Sequence, residues 1–243
     1  MTRSLFDTLR ECAHEIGEVV KAERGRGLSG LRATQYHLDV AADEVARRVL
    51  VGSGFRVVSE ETGVTGDGEF TVVIDPIDGS TNCDRGIPFY ATSMAVMRED
   101  ELIAGVVVNQ STGVTFEAER GAGATRDADI IQVSDVRELS KAIIAFSGLP
   151  SRHLGWAQFR ALGAASLEIC YVADGSIDGY AVAQLSTLNP WDYLAGLLIA
   201  REAGAVATDY RGEELETCAL VVRRPVIAST SELLETIMLA GAL

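Results

Sequence analysis

The stretch Phe70–Asn82 reads FTVVIDPIDGSTN and decides how the rest of the chain is interpreted. Its first part, Phe70–Ile74, is an apolar run that predicts a buried β-strand. Asp75 and Asp78 follow, so two carboxylates leave the strand end close together. The Gly79–Thr81 turn comes next, and its backbone N–H groups can converge on an anion. Because carboxylates beside an anion site need a shared cation, the stretch predicts metal-assisted chemistry on a phosphate.

The composition restricts the class of partner. The chain has 243 residues, of which 47 % are hydrophobic, enough for a sizeable core in one large domain or two small ones. It carries 21 basic and 35 acidic residues, a net charge of −14. This charge argues against nucleic acid and anionic membranes as partners. A small phosphorylated metabolite remains compatible, since bound divalent cations can reverse the local field.

The cysteines and the chain start favour a cytoplasmic protein. The four cysteines stand at positions 12, 83, 170 and 218, without the close spacing of a zinc motif, and we expect reduced thiols. Met1–Leu5 turns straight into a helical pattern, which predicts no signal peptide. No apolar run approaches the roughly 20 residues of a membrane span.

Hydrophobic periodicity predicts two halves, residues 1–135 and 136–243. In the first half we expect helices at about 5–20 and 38–50, then strands at 57–58, 70–74, 90–97, 102–109 and 114–118. Short turns between the last three strands predict antiparallel pairing. In the second half, strands at 143–146, 180–183, 205–208 and 226–228 alternate with helices at 164–173, 191–203 and 231–239. That alternation is typical of an α/β arrangement.

Three acidic positions are candidates for metal ligation. They are the pair Glu60-Glu61, the aspartates Asp75 and Asp78, and Asp192 far downstream. Each has an ordinary structural explanation: a solvated turn, Asp-Pro turn chemistry, and an acid in the first turn of a helix. Their joint occurrence in one chain favours a shared site.

In order and spacing, these motifs resemble the inositol monophosphatase family of lithium-sensitive, magnesium-dependent phosphomonoesterases. The chain has an acidic pair after a strand, then Asp-Pro-x-Asp-Gly-Ser-x-Asn at 75–82, then Trp191-Asp192 opening a helix. The resemblance runs from about Leu5 to Ile237 and is greatest to the archaeal-type inositol monophosphatase/fructose-1,6-bisphosphatase branch. It implies an α/β (α+β) fold, a layered α-β-α-β-α sandwich, and a homodimer.

The resemblance also implies a metal centre with two Mg²⁺ ions, and a third, weaker one. Glu60, Asp75 and the backbone carbonyl of Ile77 would hold the first ion. Asp75, Asp78 and Asp192 would hold the second. All these donors are hard oxygen ligands, as Mg²⁺ requires. Two neighbouring ions can clamp the attacking and leaving oxygens of an in-line displacement.

The implied catalytic residues are Ser80, Glu60 and a second carboxylate. Ser80 occupies the family's Thr position beside the attacking water, where its hydroxyl would pass a proton to that carboxylate. Asp39 is the candidate and Asp43 is the rival, and both could instead be solvated acids on a helix face. The glycine-rich segment 24–32 resembles the family's mobile loop, which closes over the site; a simple helix connection is the alternative.

The residues implied to contact the substrate are Gly79, Ser80 and Thr81 for the phosphate, and Asp78, Gly163, Ala164, Ala165, Gln184 and Leu185 for the remainder. Leu185 departs from the family, because inositol phosphatases carry an acidic residue there and the archaeal branch often a basic one. An apolar side chain accepts no hydrogen bond from a sugar hydroxyl. Inositol 1-phosphate is therefore not the expected preferred substrate, unless Glu168 or Gln184 replaces the contact.

The predicted function is Mg²⁺-dependent hydrolysis of a small phosphorylated sugar, polyol or related metabolite. Within this class the alternatives are fructose 1,6-bisphosphate, inositol phosphate, histidinol phosphate, a nucleotide 3′-phosphate and a biosynthetic intermediate. Outside it, the chain could be a catalytically weakened binding or regulatory relative. The complete set of ligand residues argues against that last alternative.

Overall fold

The computed structural model describes residues 4–240, so the prediction of no leader at Met1–Arg3 lies outside the described residues. The helices are α1 Leu5–Glu23, α2 His37–Gly52, α3 Ser80–Arg85, α4 Ala165–Ala173, α5 Pro190–Glu202 and α6 Ser231–Leu239. The strands are β1 Arg56–Ser59, β2 Gly63–Thr65, β3 Phe70–Asp78, β4 Ala91–Arg98, β5 Glu101–Asn109, β6 Thr115–Glu119, β7 Gly123–Arg126, β8 Asp129–Ile130, β9 Ile143–Ser147, β10 Gln158–Arg160, β11 Gly179–Val182, β12 Val206–Asp209 and β13 Pro225–Ala228.

The strands form two sheets, ordered β2-β1-β3-β4-β5-β6-β7-β8 and β10-β9-β11-β13-β12. Helices α1 and α2 cover one face of the larger sheet, and α4 and α5 lie between the two sheets. Helix α6 covers the far face of the smaller sheet. The predicted α-β-α-β-α sandwich is therefore confirmed, as are the antiparallel pairs β4–β5 and β5–β6.

Three apolar clusters fill the spaces between the layers. One joins α1 and α2 to the larger sheet, the largest surrounds α4 and α5, and the third lies beneath α6. Helix α1 shows how sequence produces this packing. The Ser4 side chain accepts a hydrogen bond from the Asp7 N–H and caps the helix, while Leu9, Cys12 and Ile16 form its buried stripe.

Strand β3 is longer than predicted. It continues past Ile74 to Asp78, with a shift of register against β4 between Asp75 and Asp78. Pro76 lies in this irregular segment and has no N–H to donate to a neighbouring strand. The two aspartates therefore stay inside the sandwich instead of emerging into a surface turn.

The sequence also missed several short elements. Strands β2, β7, β8 and β10 have two to four residues each, and none has a continuous apolar run. The segment after the aspartates forms the short helix α3 before the antiparallel strands resume. Gly79 and Gly86 flank α3 in the left-handed conformation, with φ of 89° and 74°.

The two halves share a core. The expected division near residue 135 falls between β8 and β9, but α4 and α5 pack against both sheets. The division into 1–135 and 136–243 stays a prediction. Across residues 4–240, no helix combines the length and apolar character needed to cross a membrane.

Candidate active site

Four acidic side chains from three elements form what we call the carboxylate cluster: Glu60, Asp75, Asp78 and Asp192. Strands β1 and β3 run parallel with Ser59 opposite Ile74. The next residues along the two segments, Glu60 and Asp75, therefore lie side by side. Their carboxyl groups face each other closely enough for repulsion from Glu60 to help raise the pKa of Asp75. Asp192 lies in the first turn of α5 and reaches the cluster from between the sheets.

The surroundings of the cluster disfavour negative charge. Burial and the neighbouring carboxylates raise the pKa of Asp75 and of Asp192 well above the ordinary value. Burial raises the pKa of Asp78 to about 6. Glu60 lies at the exposed rim, but its carboxyl group faces Asp75; desolvation, then repulsion from Glu61, raises its pKa to about 7.

Each of the three aspartates is oriented by hydrogen bonds. Asp75 Oδ1 accepts the Ile77 N–H at 2.9 Å, and Asp192 Oδ2 accepts the Asn189 N–H at 2.7 Å. The other oxygen of each is the one that could coordinate a cation. Asp78 accepts from the start of α4: from Ala165 N at 3.2 Å, and from Ser166 N and Oγ at 2.7 and 2.5 Å. Carboxylate oxygens carry two lone pairs each, so Asp78 can still act as a ligand.

The donor set fits a hard divalent cation. All four side chains offer oxygen, and no arginine, lysine or histidine in the described ranges forms an ion pair with them. Over the same residues, no group of three or more His, Cys, Asp or Glu side chains forms a ready-made metal-ligand shell.

Ser80, at the start of α3, lies near Asp39 in the first turn of α2. The Ser80 hydroxyl donates to the Ile77 carbonyl at 2.9 Å, and its interaction with the Asp39 carboxylate partly offsets the effect of burial on the pKa of Asp39. Asp39 also accepts the Tyr36 N–H at 2.8 Å. Burial raises the pKa of Asp39 to about 6. Asp39 is therefore positioned to receive a proton from Ser80.

Asp43, one helical turn further along α2, has other partners. Its Oδ1 accepts from Ser59 Oγ at 2.5 Å and from Thr62 Oγ1 at 3.3 Å, and its Oδ2 accepts from Arg47 Nε at 3.1 Å. These contacts hold the β1–β2 turn against α2. They engage both carboxylate oxygens and give Asp43 a structural explanation.

The turn at Gly79 packs directly against the segment at Gly163. A Cβ on Gly79 would meet the Gly163 carbonyl at 3.0 Å, and Gly79 also has a positive φ, so both packing and backbone favour glycine. Asn82 fixes the same contact by donating to the carbonyls of Phe89 and Leu162 at 2.8 and 2.7 Å. The predicted phosphate turn and the predicted substrate segment are therefore held side by side.

The residues expected to read the rest of the substrate are less closely assembled. Ala164 and Ala165 are buried at the start of α4 beside Asp78, while Gln184 and Leu185 project from the loop after β11. The Leu185 side chain is 100 % exposed. Glu168 is buried and accepts the Leu162 N–H at 2.7 Å, so it supports the segment from behind and offers no contact to a sugar.

The segment 24–36 is tied down across the site. The N–H groups of Gly25 and Gly27 donate to Asp84 Oδ1 at 2.9 and 3.0 Å. Arg32 donates to the Glu61 carbonyl at 2.6 Å. The Tyr36 hydroxyl lies 3.1 Å from Thr81 Oγ1. These contacts place the segment across both the acidic pair and the phosphate turn; that residues 24–32 act as a mobile loop rather than a simple helix connection stays a prediction.

Sequence reasoning missed several residues that support the site. Ser166 binds Asp78, Gln35 hydrogen-bonds Glu61, and Tyr36 touches Thr81. Each contact joins segments far apart in sequence, and Gln35 and Tyr36 precede α2 in a loop, so motif spacing gave no signal for these residues. Asn82 also supports the site, but it belongs to the motif at 75–82 and was therefore noted from the sequence.

Comparison with known proteins identifies a family over almost the whole chain. A family model described as the inositol monophosphatase family matches residues 2–240. A fructose-1,6-bisphosphatase/inositol-1-monophosphatase of Thermococcus kodakarensis is 35 % identical over 221 residues, 88 % of this chain and 84 % of that protein. An inositol-1-monophosphatase of Rhizobium meliloti is 33 % identical over 251 residues, 94 % of this chain and 91 % of the relative.

The structural comparison agrees. A solved inositol monophosphatase–fructose 1,6-bisphosphatase superposes with a TM-score of 0.86 and 30 % sequence identity. The match covers 98 % of this chain and 100 % of the other.

Proposed function

Because the chain belongs to the inositol monophosphatase family, and is a phosphomonoesterase acting on sugar phosphates, we propose that it depends on Mg²⁺ held by the carboxylate cluster. Members of the family are generally metal-dependent. The observation that carries the proposal is the cluster itself: four acids that no arginine, lysine or histidine in the described ranges neutralises, beside the turn at Gly79. Such an arrangement is costly unless a cation offsets the repulsion.

Two ions are proposed, with Glu60, Asp75 and the Ile77 carbonyl around the first, and Asp75, Asp78 and Asp192 around the second. A third, weaker ion is proposed beneath the segment 24–32. When bound, the ions would activate the attacking water and stabilise the leaving oxygen. Lithium inhibition is proposed with the same site, because its all-oxygen ligands suit small hard cations.

The protein's own groups position the phosphate and move the proton. Gly79, Ser80 and Thr81 begin α3, where backbone N–H groups lack intrahelical acceptors and can donate to phosphate oxygens. The Ser80 hydroxyl accepts a hydrogen bond from the attacking water and donates its own proton towards Asp39. A cation on the Ile77 carbonyl would compete for that oxygen, which favours the Asp39 acceptor. Glu60, at the rim beside Asp75, orients the same water.

The proposed substrates are small phosphorylated sugars, polyols or related metabolites, with Asp78, Gly163, Ala164 and Ala165 next to the reacting group. Inositol 1-phosphate is not the proposed preferred substrate. The Leu185 side chain supports this, because it is fully exposed and an apolar group offers no hydrogen bond to a sugar hydroxyl. An apolar surface distinguishes between substrates that differ by one group by only about 1–3 kcal/mol. Gln184, also exposed, precedes Leu185 in that loop and is the polar side chain proposed to contact the substrate there.

A phosphate-release assay with Mg²⁺ tests the substrate class. We expect higher kcat/KM for fructose 1,6-bisphosphate or a sugar monophosphate than for inositol 1-phosphate. Histidinol phosphate and a nucleotide 3′-phosphate complete the panel. A clear lead for inositol 1-phosphate would contradict the interpretation of Leu185, and absence of phosphate release from every ester would favour the binding or regulatory alternative.

A homodimer in the cytoplasm is proposed as the working form. Large apolar side chains near the β9–β10 edge support self-association, since Leu149 is 86 % and Phe159 51 % exposed. All four cysteines are free thiols, which suits a reducing compartment. Light scattering after gel filtration should give twice the mass of the chain; a monomer mass would contradict the dimer.

A further inference from the structure

Two neighbouring hydroxyl side chains of strand β4, Thr92 and Ser93, lie opposite the part of β3 that carries Asp75 and Asp78. Both are buried, with 0 % and 1 % of their surface exposed. Successive residues of a strand point to opposite faces of the sheet, so the two hydroxyl groups face different layers. Thr92 is joined to helix α1 through Gln110, whereas Ser93 contacts helix α5.

Thr92 stands opposite the irregular part of β3. The shift of register places two residues of β3, Pro76 and Ile77, opposite Thr92 alone. An extra residue in one strand disrupts the backbone hydrogen bonds of the sheet at that point. The Thr92 hydroxyl donates to the Pro76 carbonyl at 2.9 Å, so a side chain holds the bulge that separates Asp75 from Asp78.

Gln110 fixes the direction of this hydrogen bond. Its Nε2 lies 2.8 Å from the Ala13 carbonyl, which can only accept, and 2.8 Å from Thr92 Oγ1. The amide group therefore donates to the Thr92 hydroxyl, whose own proton goes to the Pro76 carbonyl. Helix α1 leaves room for this side chain because residue 17 is glycine; a Cβ on Gly17 would meet Gln110 Oε1 at 2.5 Å.

Ser93 holds the other acidic segment. Its hydroxyl donates to the Trp191 carbonyl at 3.1 Å, and Trp191 directly precedes Asp192 in the first turn of α5. The helix packs closely here, since a Cβ on Gly105 of β5 would meet the Ala195 carbonyl at 2.8 Å. The first turns of α5 are therefore fixed against β4 and β5.

We propose that Thr92 and Ser93 are positioning residues that set the spacing between the two acidic segments and thereby the affinity for Mg²⁺. Adjacent residues of one strand keep a fixed separation, so segments bonded to them cannot move apart independently. Neither hydroxyl is a proposed ligand; each acts through the backbone beside a ligand, as outer partners of metal sites do. The proposal rests on the proposed function and names residues that tune it.

The two residues should affect the two ions differently. Thr92 holds the segment of β3 that is proposed to supply ligands to both ions. Ser93 holds the segment of Asp192, which is proposed for the second ion alone. Loss of the Thr92 contact should therefore weaken both ions, and loss of the Ser93 contact only one.

Calorimetric titration of Mg²⁺ into metal-free protein tests this difference. Thr92→Val keeps the shape of the side chain and removes the hydroxyl, so the affinity for both ions should fall by about tenfold or more. Thr92→Ser keeps the hydroxyl and should restore most of that affinity. Ser93→Ala should weaken one ion and leave the other at the wild-type value. Wild-type affinities in both Thr92→Val and Ser93→Ala would overturn the proposal.

Ser229→Ala is the matched control. Ser229 is also buried, at 4 % exposed, and its hydroxyl also donates to a backbone carbonyl, that of Val136, at 3.1 Å. It follows β13 in the smaller sheet and makes no hydrogen bond to the carboxylate cluster. The variant should lose thermal stability while its Mg²⁺ affinity stays unchanged. An equal loss of Mg²⁺ affinity in Ser229→Ala would attribute the effect to general destabilisation and overturn the proposal.

Hydrogen exchange in EDTA separates this proposal from the proposed function, because it needs neither metal nor turnover. Thr92→Val should speed exchange of the backbone amides in 75–79, where the Ile77 N–H donates to Asp75. Ser93→Ala should instead speed exchange in 189–193. Equal exchange of both segments in the wild type and both variants would contradict the positioning role. A wild type that binds no Mg²⁺ would refute the metal site, while the segment-specific exchange would still support the positioning of the two segments.

Discussion

Glu60 and Glu61 are neighbours in sequence and differ in how the protein treats their charge. Glu61 is largely buried, lies 3.6 Å from the Arg32 guanidinium and is hydrogen-bonded by Gln35. Glu60 faces Asp75 and has no ion-pair partner in the described part of the chain. Asp43 resembles Glu61, because it is paired with an arginine, Arg47, at 3.1 Å. Asp75 resembles Glu60, because other carboxylates face it and no cationic side chain in the described residues pairs with it.

The difference shows how this fold separates structural acids from reactive ones. Where a buried carboxylate only holds elements together, an arginine and hydroxyl groups compensate it locally. In the carboxylate cluster no arginine or lysine pairs with the acids within residues 4–240, and only Asp78 has a hydroxyl partner, Ser166 Oγ at 2.5 Å. The protein therefore keeps four mutually repelling acids together. Perturbed acids without a local partner are typical of functional sites.

The largest expected effect is the loss of turnover in Asp75→Asn. Asp75 is the ligand proposed to bridge both ions, so turnover should fall by several orders of magnitude. The melting temperature of the metal-free variant should rise, because one repelling carboxylate is gone. Asp192→Asn should behave in the same way, and phosphate release with differential scanning fluorimetry measures both effects.

Asp43→Asn is the matched control from the compensated group. It removes the charge that faces Arg47, so its melting temperature should fall instead of rise. Stability changes of the same sign in Asp43→Asn and Asp75→Asn would remove the distinction between the two groups. Near-wild-type turnover in purified Asp75→Asn would exclude Asp75 from the metal site.

A smaller loss is expected from Ser80→Ala. Without the hydroxyl, the proton path to Asp39 is broken, so kcat should fall strongly while KM changes little. Ser80→Thr keeps the hydroxyl and should retain activity. Equal losses in the Ala and Thr variants would indicate that Ser80 acts through packing at the start of α3.

The smallest effect is a pH dependence of stability in metal-free protein. The pKa of Glu60 is raised to about 7 and those of Asp78 and Asp39 to about 6, so the folded state binds more protons than the unfolded state above about pH 4. The free energy of unfolding should therefore fall as the pH rises from about 4 to 7. Urea denaturation in EDTA measures it.

Added Mg²⁺ should flatten this dependence, because a bound cation stabilises the ionised carboxylates. Asp75→Asn in EDTA should show a shallower slope than the wild type. A free energy of unfolding that increases with pH over the same window in EDTA would contradict the charge repulsion attributed to the cluster.

The sequence predicted the parts of the molecule that depend on local pattern. Apolar runs and helical spacing placed the main strands and helices, and Asp75, Asp78 and Asp192 were recognised because each belongs to a short motif. Asp39 and Asp43 could not be separated by sequence, since four residues along a helix return to the same face. Their different partners, Ser80 and Ser59, come from other elements.

Features that depend on long-range contacts could not be predicted from the sequence. Ser166 and Thr92 have no local signal, because their partners lie on a strand that only the folded chain brings near. The short edge strands, such as β8 and β10, are too polar and too brief for a periodicity argument.

The most direct test of the central claim is phosphate release before and after metal removal. Wild-type protein stripped with excess EDTA, assayed with fructose 1,6-bisphosphate, should release no phosphate above background. Titrating Mg²⁺ beyond the chelator should restore activity in the wild type, and restore little or none in Asp75→Asn. Undiminished hydrolysis in excess EDTA would contradict the proposal that the carboxylate cluster works by holding metal ions.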